Sequence, residues 1–111
     1  MNTSKNPQRN RIFAYHATLK EFVPLIARDG LIAHFDENLG EDVIFVEPDE
    51  SEAAIYLQDN GAMLRVSVDG IGDTEDGECV LWDTPRIAPS DIDIRDKQEW
   101  VHLSDFSVTS E

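Results

Sequence analysis

Short apolar runs alternate along the chain with polar segments that contain Gly, Pro or Asp, and this pattern predicts five strands and two helices. The strand-like runs either alternate apolar with polar residues or are rich in β-branched and aromatic residues. They occupy positions 11–16, 43–46, 63–68, 78–82 and 99–103. A helix is predicted after each of the first two strands, so the order is β-α-β-α-β-β-β. This order predicts an α+β fold in which the later strands pair antiparallel.

The first helix is predicted from apolar residues that recur every three or four positions over 19–26. Positions 18–21 match a capping box, and Gly30 is the residue type expected just after the last turn. Pro24 interrupts this pattern, which leaves two interpretations open. Either Pro24 kinks a helix that begins near Thr18, or the residues before Pro24 form a turn and Pro24 opens the helix itself.

The remaining segments are predicted to be a second helix, two loops and a tail. The second helix begins with the acidic stretch 48–52, because negative charge is favoured at a helix N-terminus. Residues 36–42 and 69–77 are predicted to be polar loops. Residues 1–10 are polar and basic without apolar periodicity, which predicts a disordered tail. Residues 11–111 are then one domain.

The chain is strongly acidic, with a formal net charge of −14 on 111 residues. Of its 23 acidic residues, 22 follow Arg28, and only four Lys or Arg lie in that part of the chain. Direct binding to DNA or RNA is therefore disfavoured, because phosphate contacts depend on Lys and Arg. A basic protein partner, a small ligand, or mimicry of nucleic acid by carboxylates stays open. The absence of a signal-like or membrane-spanning apolar run predicts a cytoplasmic protein without a membrane partner.

Few residues are candidates for chemistry. The chain has no Gly-rich phosphate loop, and its three His and single Cys lack the spacing of metal ligands, so no metal site is predicted. Cys79 lies in an apolar run, which favours a buried thiol over a nucleophile. His16 ends a predicted strand and is followed by two small residues. Two interpretations stay open: it is a half-buried strand residue bonded to a backbone carbonyl, or its imidazole bonds a ligand that approaches the backbone. Glu78 follows a flexible loop and begins a strand, although many other acids compete with it.

Several short motifs occur in an order that resembles the ADP-ribosyltransferase superfamily. They are YHAT at 15–18, GL at 30–31, VIFV at 43–46, EAAIY at 52–56, LRVSVD at 64–69, ECVLW at 78–82 and IAPSDI at 87–92. The last two motifs are similar to the corresponding stretch of the DNA-modifying ADP-ribosyltransferase toxins. The resemblance covers about residues 12–95, which is most of the predicted domain.

The resemblance implies a split pair of antiparallel sheets with two short helices and a cleft that holds NAD. It makes His16 and Glu78 the expected catalytic pair, with His16 bonded to the adenosine-side ribose and Glu78 beside the nicotinamide ribose. A carboxylate there stabilises the positive charge that develops on the ribose as the glycosidic bond breaks. The implied cofactor-binding residues, which include aromatic surfaces for nicotinamide, are Tyr15, His16, Ala17, Thr18, Phe45 and Tyr56.

The expected activity is transfer of ADP-ribose from NAD to a macromolecular acceptor, a protein being favoured over a nucleic acid because of the acidic charge. A toxin or a phage effector is a setting that suits so short a chain. Two alternatives stay open. One is a non-enzymatic acidic inhibitor that presents carboxylates in place of phosphates. The other is a degenerate transferase fold that binds a nucleotide without chemistry, since Ala17 stands where the superfamily has Gly.

Overall fold

A computed structural model of the chain describes residues 11–106. The tail predicted over 1–10, and the last positions of the predicted domain, 107–111, lie outside the described residues. The described part contains ten strands and two α-helices. In chain order they are β1 (Ile12–Leu19), α1 (Val23–Asp29), β2 (Leu31–Ile32), β3 (His34–Asp36), β4 (Glu41–Phe45), α2 (Glu50–Ala54), β5 (Gly61–Val68), β6 (Gly72–Asp73), β7 (Cys79–Leu81), β8 (Arg86–Ile87), β9 (Ile92–Asp96) and β10 (Glu99–His102).

The strands form three antiparallel sheets. One four-stranded sheet has the order β1-β5-β9-β10, a second has the order β3-β4-β7-β6, and β2 pairs with β8. Apolar residues of all three sheets and of α1 join in one hydrophobic cluster. The prediction of an α+β fold with mostly antiparallel strands and two short helices is confirmed.

The pairing of β1 with β5 is the longest in the molecule's described part, and it follows from alternation in both strands. The register runs without a break from Ile12 opposite Val68 to Leu19 opposite Gly61. Side chains of a strand point alternately to opposite faces, so Ala14 and Leu64 turn to the core, where both are fully buried. His16 lies on this same core-facing side of β1, two residues beyond Ala14 and directly opposite Leu64.

The opposite face of this sheet carries aromatic rings and cations. The Arg65 guanidinium lies 4.2 Å from the ring centre of Phe13 and 4.7 Å from that of Trp100, and it bonds Asp93 at 2.7 Å. Cations stack favourably on aromatic faces, so Arg65 and these rings cover part of this face. The Tyr15 ring belongs to this face, with its centre 5.9 Å from that of Trp100.

The structure resolves the two interpretations of Pro24. Residues Lys20–Phe22 form a short 3-10 turn, and Pro24 lies in the first turn of α1, where a missing backbone N–H costs nothing. The expected capping box is wrong, because Thr18 belongs to β1 and no side chain caps either the 3-10 turn or α1. Gly30 follows α1 as predicted and has φ +86°.

Some strands differ from the sequence prediction. The loop predicted over 36–42 is shorter in the structure, because β3 and β4 extend into this range and form a hairpin. The N–H groups of Leu39 and Gly40 close the hairpin by bonding the Asp36 carbonyl. The loop over 69–77 contains β6, which pairs with β7. β9 was not predicted, although Ile92 and Ile94 alternate with polar residues and are buried beside β5.

Candidate functional site

Two adjoining pockets open between the two four-stranded sheets. The small pocket has a volume of about 330 Å³ and the large pocket about 680 Å³. His16 and Phe45 line both pockets and therefore mark the boundary between them. Each volume falls within the range of about 300–1,000 Å³ that is typical of ligand sites. The two pockets are together called the cleft below.

The small pocket brings together most residues that the sequence singled out. It is lined by Tyr15, His16, Ala17, Phe45, Tyr56 and Glu78, joined by Glu47 and Cys79. Thr18 lines the large pocket instead. Both expected catalytic residues thus border one cavity, although they lie 62 positions apart in the sequence. The large pocket is mainly apolar, with Phe22, Leu25, Ile32 and Phe35 among its walls.

His16 links the two sheets through a hydrogen bond. Its Nδ1 lies 2.8 Å from the backbone carbonyl oxygen of Phe45, at the end of β4. A carbonyl oxygen only accepts, so Nδ1 carries the proton and Nε2 of the neutral ring is left as an acceptor. Burial lowers the pKa of His16, an effect partly opposed by this bond and increased by nearby His34. The neutral imidazole therefore presents an acceptor nitrogen at neutral pH.

A backbone bridge beside His16 fixes how the two sheets meet. The Tyr15 N–H bonds the Glu47 carbonyl at 2.9 Å, and the Glu47 N–H bonds the Tyr15 carbonyl at 2.8 Å. These bonds use the edge of β1 that faces away from β5. Alternate residues of a strand direct their N–H and C=O groups to the same edge, so Ala17 presents both groups there. No described residue pairs with the Ala17 backbone along this edge.

Glu78 is positioned by a tight turn immediately before β7. The Glu78 N–H bonds the Thr74 hydroxyl at 3.1 Å, and the Thr74 N–H bonds the Glu78 carbonyl at 2.9 Å. Gly77 closes the turn with φ +86°, a conformation that favours glycine. These bonds hold the backbone, while the Glu78 side chain remains exposed at the mouth of the small pocket.

Two aromatic residues flank the small pocket. Phe45 ends β4, where its backbone carbonyl bonds His16 and its ring is partly exposed between the two pockets. Tyr56 follows α2 and is held by the bond from its N–H to the Ala53 carbonyl at 3.0 Å. Either ring offers a flat apolar surface for a planar ligand. Tyr15 contributes to the same pocket, but its ring packs against Trp100.

Glu47 is a site residue that the sequence reasoning missed. It is half-buried in the small pocket, and its pKa is raised by burial and by the negative charges of Glu52 and Glu78. Nothing in the sequence distinguishes it from the other acids, because its place in the pocket depends on the bridge to Tyr15. Cys79 has its thiol pKa raised by burial and by Glu47, so the thiol is held protonated at neutral pH.

Within residues 11–106, no cluster of three or more His, Cys, Asp or Glu is arranged to hold a metal ion. No helix in this part of the chain has the length and hydropathy needed to cross a membrane. The chain was also compared with known proteins. No family model, curated protein or solved structure matches it.

Proposed function

We propose that the chain binds NAD in the cleft and transfers its ADP-ribose to a macromolecular acceptor, a protein being favoured over a nucleic acid. One observation carries this proposal. His16 and Glu78 line the same small pocket together with Ala17 and the aromatic residues Phe45 and Tyr56. The sequence resemblance predicts this combination of an imidazole, a carboxylate and an aromatic surface around one ligand.

The two pockets suit the two halves of a dinucleotide. The nicotinamide end belongs in the small pocket, where Phe45 or Tyr56 stacks on the ring. The N–H and C=O of Ala17, which no residue of 11–106 bonds along this edge, form one donor and one acceptor, which match the carboxamide of nicotinamide. The Ala17 methyl group does not obstruct this edge, because a strand side chain projects from the sheet face rather than along its plane.

The adenosine end then extends into the large pocket, whose apolar walls suit the adenine ring. His16 lies between the two pockets, so its Nε2 accepts a hydrogen bond from a ribose hydroxyl. Because Nδ1 is already bonded to Phe45, the ring is held in one orientation before the ligand arrives. Such preorganisation lowers the entropy that binding must overcome.

The proposed reaction is a substitution at the anomeric carbon of the nicotinamide ribose. The bond from this carbon to the nicotinamide nitrogen breaks, and its electron pair leaves with nicotinamide, which becomes neutral. A nucleophilic atom of the acceptor forms the new bond and releases its proton to a carboxylate or to water. The Glu78 carboxylate stabilises the positive charge that builds on the ribose between these events.

Incubation of the purified chain with NAD labelled in its adenylate part and a lysate of its source cells tests this function. We expect label to enter a fraction that protease removes and nuclease does not. The Glu78→Gln variant loses this labelling, whereas Glu99→Gln retains it, because Glu99 is an exposed acid on β10 outside the pocket. Equal labelling by Glu78→Gln and the unmodified chain would contradict the proposal.

A second candidate function is that of a non-enzymatic inhibitor of a basic, DNA-binding protein. It is favoured by the excess of 22 acids over four Lys and Arg after Arg28. For such an inhibitor, binding weakens steeply with salt and is unchanged by His16→Ala or Glu78→Gln. An NAD-dependent signal that either substitution abolishes would favour the transferase instead.

A further inference from the structure

Three consecutive large apolar side chains are exposed directly after α2. Ile55, Tyr56 and Leu57, here called the apolar turn, have 76%, 61% and 41% of their surface exposed. The turn is held in place because the N–H groups of Tyr56 and Leu57 bond the carbonyls of Ala53 and Ala54 at 3.0 Å each. Ala53 is itself buried and anchors the helix. Large apolar side chains exposed together in one short segment are a feature of interaction sites.

The apolar turn lies at the rim of the small pocket beside carboxylates that form no ion pair in the described part of the chain. Tyr56 lines the pocket with Glu47 and Glu78, and the charge of Glu52 is close enough to act on Glu47. None of these three acids forms an ion pair within residues 11–106. Each arginine of that part already has an oxygen partner. Arg11 bonds Asp69, Arg28 bonds Asp29, Arg65 bonds Asp93, Arg86 bonds the Asp29 carbonyl, and Arg95 bonds Glu50 at the start of α2.

The charge around the apolar turn selects among possible occupants. A second copy of this chain would bring the same acids against Glu52 and Glu78, and like charges facing each other at an interface are unfavourable. A nucleic acid would bring phosphates against them. A cationic protein segment instead pairs with the carboxylates while its own apolar side chain covers the turn.

We propose that the apolar turn and the surrounding carboxylates dock the acceptor, which is a Lys- or Arg-rich protein segment with an apolar side chain that packs on Ile55 and Leu57. This inference rests on the proposed function, because it makes the docked segment the recipient of ADP-ribose. The carboxylates accelerate encounter with the cationic segment. Burial of the apolar contact supplies most of the affinity, as it does at the centre of other interfaces.

Fluorescence anisotropy with three labelled peptides and the full chain tests this docking surface. The peptides carry a leucine among arginines and lysines, a serine among the same cations, or a leucine among aspartates and glutamates. We expect the cationic peptide with leucine to bind most tightly and the acidic peptide not to bind. Raised salt weakens this binding.

Variants assign the binding to the apolar turn. Ile55→Ser weakens binding of the leucine peptide about tenfold, in line with a central interface residue. Ile12→Ser is the matched control, because Ile12 is also exposed, at 43%, but lies outside both pockets, and it leaves affinity unchanged. Glu52→Gln weakens binding about threefold, as expected of an exposed charge, while Glu99→Gln does not.

Absence of peptide binding, or equal binding by Ile55→Ser and the unmodified chain, would overturn the docking surface. NAD titration of the same proteins separates this failure from failure of the proposed function. If NAD binds normally and the leucine peptide does not, only the docking surface is wrong. If the peptide binds as expected and NAD does not, the acceptor role is wrong together with the proposed function.

Discussion

The imidazole of His16 and the backbone carbonyl of Phe45 connect the two four-stranded sheets, with Nδ1 2.8 Å from the carbonyl oxygen. The bond connects β1 of one sheet to the end of β4 of the other. It also determines which ring nitrogen is left to accept a hydrogen bond, because the proton on Nδ1 leaves Nε2 as the acceptor. The role proposed for His16 therefore depends on its tautomer and on its remaining neutral.

The first prediction concerns the ionisation of His16. Because burial lowers its pKa below 6.5, the unfolded chain takes up a proton at this residue at a higher pH than the folded chain does. The stability that the neutral His16 ring contributes to the folded chain is therefore fully present above about pH 6.5. It is lost as the pH falls through the folded-state pKa of His16. Nitrogen-15 NMR should show a neutral ring protonated at Nδ1 at pH 7.

The His102→Ala variant is the matched control for this titration, because His102 is exposed and lies outside both pockets. It should leave the His16 signals unchanged. A ring protonated at Nε2, or a His16 pKa above that of a free histidine, would contradict the geometry described.

The second prediction concerns Glu47. Its raised pKa means that the ionised carboxylate is less stable in the folded chain than in the unfolded chain, because of burial and the charges of Glu52 and Glu78. Glu47→Gln should therefore stabilise the protein at pH 7, by less than about 1 kcal/mol, the range of partly exposed charge interactions. Chemical denaturation at pH 7 and again below pH 4.5 measures the effect.

The gain from Glu47→Gln should disappear at the lower pH, where the natural carboxyl is itself neutral. Glu99→Gln serves as the control at an exposed position on β10. A loss of stability in Glu47→Gln at pH 7 would show that its carboxylate has a favourable partner.

The third prediction concerns Gly30, which separates α1 from β2. A Cβ there would lie 2.1 Å from the Ile87 carbonyl oxygen, and its φ of +86° is unfavourable for other residues. Gly30→Ala should lower the free energy of unfolding by about 3 kcal/mol, since backbone strain and a clash add. Gly40→Ala is the control that isolates the backbone strain, because Gly40 has φ +74° but a Cβ added there would have no neighbouring atom within 4 Å. This substitution should lower the free energy of unfolding by about 1 kcal/mol. Equal losses in thermal denaturation would contradict the close approach of Gly30 to β8.

The fourth prediction separates ligand binding from chemistry. Glu78→Gln should change NAD affinity by less than about threefold but lower the transfer rate about 100-fold, because its charge acts on the developing positive charge. His16→Ala should weaken NAD affinity about tenfold, since it removes a hydrogen-bond acceptor. Calorimetry and the rate of nicotinamide release measure the two effects. A Glu78→Gln variant that loses binding and rate in equal proportion would assign this residue to binding alone.

The sequence predicted the parts of the fold that have strong periodicity. Alternation over 63–68 identified all of β5 except its first two residues, and Gly30 marked the end of α1. Strands of two or three residues, such as β2 and β6, carry too few positions for a period to be visible, and they exist because a distant partner pairs with them. The expected capping box was wrong because pairing with β5 kept Thr18 in a strand.

Less of the candidate site was visible in the sequence. His16 stood out because the chain has only three histidines, and Glu78 because of its motif. Glu47 is one of 23 acids, and only the backbone bridge to Tyr15 brings it into the pocket. The exposure of Ile55 was likewise not predictable, because apolar residues after a helix are usually expected to turn inward.

Titration of the isotopically labelled chain with NAD, followed by NMR, tests the central proposal most directly. We predict saturable binding with a Kd below about 1 mM, and the largest shift changes at the His16 ring and the Ala17 amide. Tyr56 and Glu78 should follow, while His102 remains unchanged. A folded chain that shows no shift changes at millimolar NAD, or changes confined to residues outside the two pockets, would contradict the account.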